Sequence, residues 1–263
     1  MKKEKKFLKY FNQVLENDGI VHMTLLDPDP FKMSLDNFDK VVTALTESGT
    51  DVFMVGGSTA IDTQFIDTVV QIIKENSDLP VILFPGSISG VSKKADAIFF
   101  LSPLNSRNWY FLIGAQMLVA PFIKKWGIEP ISLAYLIFEP GGTAGYVSDV
   151  APIPRNKPEI AIAYASAAEL IGFDLVYLEA GSGSPEPIPA KVVAAVSKFV
   201  EIPIIVGGGI RSYEQAVKIV KAGASAIVQG TKFEEAILSG EFEKFKNEFR
   251  DFISAIKKAK KAV

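Results

Sequence analysis

A tyrosine, a glutamate and then two glycines flanking a serine stand close together in YLEAGSG, residues 177–183, directly after the apolar run Phe173-Asp174-Leu175-Val176. That order reads as a buried strand running out into a loop. Tyr177 and Glu179 bring a hydroxyl and a carboxylate. Gly181, Ser182 and Gly183 let the backbone turn tightly and offer N–H groups to an anion. A carboxylate at a strand mouth is costly to bury unless something binds it, so the reaction centre is expected here.

Two further stretches suit an anion. VGGGIRS, residues 206–212, and VQGTKFEE, residues 228–235, each place glycine between a strand-like run and a helical pattern. Unpaired N–H groups and the helix dipole both favour negative charge at such a helix start. The bland reading is that glycine simply makes tight turns, but two such loops in succession point to a phosphomonoester site. A third constellation could hold a metal. HMTLLDPDP, residues 22–30, puts Asp27 and Asp29 in a turn stiffened by Pro28 and Pro30, and VGGSTA, residues 55–60, brings Ser58. A carboxylate and a hydroxyl, completed by water and phosphate oxygens, is a usual way to hold Mg²⁺. Asp27 as an Asx-turn residue and Ser58 as a helix N-cap explain the same residues equally well.

The chain has no cysteine and one histidine, His22. Disulfides, thiolate metal sites and cysteine nucleophiles are excluded, and a zinc site or a Ser-His-Asp triad lacks its parts. His22 lies at a strand start and reads as structural. A net charge of −2 provides no basic face for nucleic acid. The absence of cysteine fits a cytoplasmic protein. The basic N-terminus, MKKEKKFLKYF, contains Glu4 and reads as an amphipathic helix, not a secretion signal. The most apolar run, Trp109 to Ile123, is shorter than the about 20 residues that a bilayer span needs.

These residues are positioned by alternating strand and helix patterns. Strands are expected at 20–26, 51–55, 81–84, 97–101, 131–138, 175–179, 204–206 and 226–228. Helices are expected at 35–48, 61–76, 107–126, 159–171, 189–200, 212–222 and 233–261. Eight strands with crossover helices in 263 residues predict a single-domain (β/α)8 TIM barrel. An open doubly wound sheet would carry G-x-G-x-x-G after the first strand, and none is present. Between the third and fourth strands, Pro85 to Asp96 is too short for a full crossover helix, so an apolar groove is expected in the wall there. Phe99, Phe100, Tyr110, Phe111 and Tyr135 could line it or could simply pack the core. The long loop from Ile137 to Asn156, rich in glycine and proline, reads as a lid or substrate-binding loop.

HMTLLDPDP, VGGSTA, LSPLNSRN, YLEAGSG and VGGGIRS, in this order, resemble the geranylgeranylglyceryl phosphate synthase family, and the HMT and YLEAGSG forms resemble its larger subgroup. The resemblance covers nearly the whole chain. It implies Mg²⁺-dependent transfer of geranylgeranyl from its diphosphate to the 3-hydroxyl of sn-glycerol 1-phosphate. It implies Asp27 and Ser58 as metal ligands. Tyr177, Leu178, Glu179, Ala180, Gly181, Ser182, Gly183, Gly208, Gly209, Gly230 and Thr231 would bind glycerol phosphate, with Glu179 as base or cation stabiliser and Tyr177 orienting the hydroxyl. It implies a homo-oligomer, a hexamer before a dimer, with the apolar helix 107–126 as its surface. Two positions depart from the family's pattern. Pro30 stands where many relatives have lysine, leaving Lys32 to supply the charge, and Thr231 stands where relatives often have asparagine.

Overall fold

The computed structural model describes residues 5–31, 33–59, 62–230 and 242–261. Eight parallel strands close into a barrel in sequence order, with β8 pairing back onto β1. They are β1 (Val21–Leu26), β2 (Val52–Val55), β3 (Val81–Leu83), β4 (Ala97–Pro103), β5 (Glu129–Ile137), β6 (Leu175–Glu179), β7 (Ile204–Gly207) and β8 (Ala226–Gln229). The expected TIM barrel is what forms. Strand side chains alternate, so Val21, Met23, Phe99, Leu133, Tyr135, Leu175 and Tyr177 fill the barrel. Leu26, Val55, Leu136, Val176 and Leu178 face the helices instead.

The amphipathic N-terminal helix α1 (Lys6–Asp18) closes the floor: Phe7 and Phe11 are buried against the barrel interior, and Phe7 meets Phe99 edge-on at 6.4 Å. Helices α2 (Phe38–Glu47), α3 (Thr63–Asn76), α4 (Ala115–Trp126), α6 (Pro158–Ile171), α7 (Ala190–Val196) and α8 (Tyr213–Lys221) form the outer layer, and α9 (Phe242–Lys261) ends it. The expected start of that last helix, with the rest of 231–241, lies outside the described residues. No helix of the described residues is long and apolar enough to cross a membrane.

The boundaries that shifted have identifiable causes. Helix α3 starts at Thr63, because the Asp62 carboxylate accepts the N–H groups of Gln64 and Phe65 at 3.0 Å. Ser58 is therefore not its N-cap. The expected helix 107–126 opens instead with a π turn, Tyr110–Gly114, before α4. The fifth strand stops at Ile137, and Phe138 bridges Ile153. The crossover from β3 to β4 carries one 3₁₀ turn, Ile88–Gly90, and no α-helix, as its length implied. His22 is buried between strand and helix, with its ring nitrogens 3.1 Å from Thr50 Oγ1 and Gln229 Oε1 and its ring centroid 5.0 Å from that of Phe249, edge to face. It is structural, as expected.

Candidate active site

Tyr177 and Glu179 share the inward face of β6, two residues apart, with Glu179 at the mouth. The carboxylate is 6% exposed. Its Oε1 accepts the Gly181 N–H at 2.5 Å, and the hydroxyls of Tyr177 and Tyr135 are near enough to favour its charged form. Burial raises the Glu179 pKa above the usual carboxylate value, and the Gly181, Tyr177 and Tyr135 donors pull the other way without cancelling it. Burial, then the neighbouring carboxylate, pushes both phenols well above their ordinary range. The phenols therefore stay protonated and donate, leaving the carboxylate as the group able to take a proton.

Glycine makes this approach possible. A Cβ on Gly207 would lie 1.9 Å from the Tyr177 hydroxyl, and one on Gly208 would lie 2.4 Å from Glu179 Oε1 and 2.8 Å from Gly181 N. Gly208, at φ 82°, also needs a backbone that side chains rarely tolerate. The β6 and β7 loops thus meet backbone on backbone over the carboxylate. Arg211 donates to the carbonyls of Gly183 and Ser184 at 3.3 Å and ties the two loops together. Gly230 ends β8 against Leu25. Of the remaining candidates, Leu178 and Ala180 point into the outer core, so only their backbone can serve the site. Thr231 and Lys32 lie outside the described residues.

Across the mouth, the Asp27 carboxylate packs against the turn that carries Ser58. A Cβ on Gly57 would sit 2.2 Å from Asp27 Oδ1. The Asx turn in this loop belongs to Asp29, whose Oδ1 accepts the Phe31 N–H at 2.9 Å. With Ser58 not capping α3, Asp27 and Ser58, on loops that touch at Gly57, offer an oxygen-only pair. Such a pair fits a hard cation completed by water and phosphate oxygens and does not fit zinc. No cluster of three or more His, Cys, Asp or Glu side chains occurs among the described residues, so substrate oxygens would have to complete the shell.

A cleft starts at Gly57 and Ser58 and passes Phe84, Tyr135 and Phe111, with Ala144, Val147 and Ser148 on its far side. A second cleft adjoins it through Pro85, Gly86, Leu101, Pro103 and Phe111. It runs out beneath the short crossover, past Phe99, Phe100 and Tyr110, to Val119. All five aromatic residues expected for the groove line one cleft or the other. Tyr135 does more: its ring lines the cleft while its hydroxyl acts on the charge of Glu179. Its site role was missed because nothing local separates it from a core aromatic on β5.

The loop 137–156 borders both regions. It contains α5 (Gly142–Val147), which lines the cleft, and Gly142 lies against Gly181, where a Cβ would come 3.4 Å from the Gly181 Cα. Asn105, from LSPLNSRN, anchors the loop by donating to Ile137 O at 2.8 Å and Ala151 O at 2.9 Å.

Comparison with known proteins matches the PcrB family over residues 12–249. The chain belongs to the PcrB family. Among curated relatives, the geranylgeranylglyceryl phosphate synthase of Pyrococcus horikoshii is 53% identical over 228 residues, 87% of this chain and 89% of the relative. That of Thermococcus gammatolerans is 50% identical over 249 residues, 95% and 96%. The crystal structure of (S)-3-O-geranylgeranylglyceryl phosphate synthase from Thermoplasma acidophilum, in complex with sn-glycerol-1-phosphate, superposes with a TM-score of 0.87 at 40% identity. The match covers 94% of this chain and 98% of that one.

Proposed function

We propose that this PcrB-family chain is a geranylgeranylglyceryl phosphate synthase, a prenyltransferase joining a geranylgeranyl group to the 3-hydroxyl of sn-glycerol 1-phosphate. One observation carries the reading. Tyr135 links a buried carboxylate at the glycine-rich β6 and β7 loops to an apolar cleft whose rim holds Ser58 beside Asp27. An alcohol and an allylic diphosphate brought to those two poles would meet at one mouth.

The N–H groups of the β6 and β7 loops, with Gly230, receive the glycerol phosphate. Glu179 takes the proton of the attacking hydroxyl as the new C–O bond forms and the bond from prenyl C1 to the diphosphate oxygen breaks. Tyr177 orients that hydroxyl and keeps Glu179 in place. Asp27 and Ser58 would hold Mg²⁺, which when bound supplies positive charge to the departing diphosphate. The cleft takes the tail, each buried methylene contributing about 0.8 kcal/mol. A sugar-phosphate isomerase or lyase has no use for that cleft, and a non-catalytic lipid carrier has none for Glu179.

The same reading favours a cytoplasmic homo-oligomer, a hexamer before a dimer. Supporting it is the exposed apolar side of the segment that opens α4, with Trp109 at 63%, Ile113 at 58% and Met117 at 56% exposure. The decisive experiment is transfer from labelled geranylgeranyl diphosphate to sn-glycerol 1-phosphate. Glu179→Gln should abolish turnover and leave glycerol phosphate binding measurable by calorimetry; full activity in that variant refutes the assignment.

A further inference from the structure

The π turn Tyr110–Gly114 borders both halves of the cleft, since Phe111 lines each of them. A π turn widens the helix and disturbs its bonding pattern, here with the Ala115 N–H reaching back to Tyr110 O. Side chains take the next two carbonyls. Gln116 Nε2 donates to Phe111 O at 2.9 Å and to Leu101 O on β4, and the Ser102 hydroxyl donates to Leu112 O. The wide turn is thus stitched to the barrel wall by one amide and one hydroxyl.

The arrangement has a cost that stability alone does not explain. Gln116 is 7% exposed, and its Oε1 is buried with no hydrogen-bond partner among the described residues. A buried acceptor without a partner is unfavourable, and an apolar side chain of similar length would fill the same space without it. Gln116 itself lines the outer cleft beside Tyr110, Phe111 and Val119.

We infer that Gln116, seconded by Ser102, is a positioning residue for the prenyl tail: it holds the π turn against β4 so that Phe111 and Tyr110 shape the cleft. This rests on the function proposed above. It touches neither the glycerol phosphate loops nor Glu179, so its effect should fall on one substrate.

The test is steady-state kinetics of the full-length Gln116→Met and Ser102→Ala variants, with each substrate varied in turn. KM for geranylgeranyl diphosphate should rise roughly three- to tenfold, the factor carried by displacing one hydrogen-bonded contact. KM for sn-glycerol 1-phosphate should stay within about twofold of wild type. If Gln116→Met fails to fold, Ser102→Ala, which removes one hydroxyl, decides alone by the same split. Unchanged KM values, or both substrates moving together, overturn this inference while the wild-type activity stands. A wild-type protein that transfers no prenyl group overturns the functional reading and this inference with it.

Discussion

Glu179 and His22 are both buried and titratable, yet their surroundings push them in opposite senses. Burial raises Glu179, so the acid limb of the pH dependence of kcat/KM should lie above the ordinary 4.5, because the role proposed for it needs an ionised carboxylate. The folded carboxyl holds its proton more tightly than the unfolded one, so its contribution to stability falls as pH rises from 4.5 towards the raised value. Glu179→Gln should accordingly melt higher than wild type at pH 7, while showing no turnover. Scanning calorimetry and initial rates on one preparation check both. His22 is depressed from 6.5 to about 4 by burial. Its contribution is fully present above 6.5 and lost as pH falls towards 4, where the unfolded chain binds a proton that the folded one refuses. Between those limits the loss should approach ~3 kcal/mol. Denaturant unfolding of His22→Gln should show a flatter dependence over that window.

The crossover from β3 to β4 and the helix opening by Tyr110–Gly114 form the two sides of the cleft, and their short and widened geometry is what leaves it open. Filling it should separate the substrates. Val119→Trp places an indole where the outer cleft runs past α4. It should raise KM for geranylgeranyl diphosphate at least tenfold and leave KM for glycerol phosphate near wild type; equal effects on both would deny the cleft to the tail. A stability control sits on a different element. Asp62→Ala removes the cap of α3 and should cost about 1 kcal/mol in unfolding free energy without altering either KM.

At the scale of the whole molecule, the closed barrel carries the proposed site at one rim and an exposed apolar patch at Trp109, Ile113 and Met117 on its outside. Chelating divalent cations should stop transfer and leave the circular dichroism unchanged, because the barrel closes through its own strands and the cation would bind only at the mouth. Trp109→Asp should reduce the particle size measured by light scattering and retain most of the activity per chain. A wild type of single-chain size overturns the proposed assembly, and a variant that keeps a larger wild-type size places the contact elsewhere.

The alternation of strand and helix patterns was enough to foretell eight strands, a closed barrel and the missing crossover helix, because periodicity and segment length are local properties. YLEAGSG and VGGGIRS were legible for the same reason: glycine at strand ends and a carboxylate at a mouth constrain their own neighbourhoods. Asp27 and Ser58 were readable as residues but ambiguous in role. The structure gives the α3 cap to Asp62 and an Asx turn to Asp29, competitions between neighbours that composition does not resolve. Tyr135 was legible only as a groove or core aromatic and Asn105 only as part of LSPLNSRN, and neither these nor Gln116 gave a local signal for its polar contacts. Each acts on a partner far along the chain or across a turn: Tyr135 on Glu179, Asn105 on Ala151, Gln116 on a carbonyl of β4. Which buried polar atoms meet is set by barrel closure and strand register, and that belongs to the tertiary structure alone.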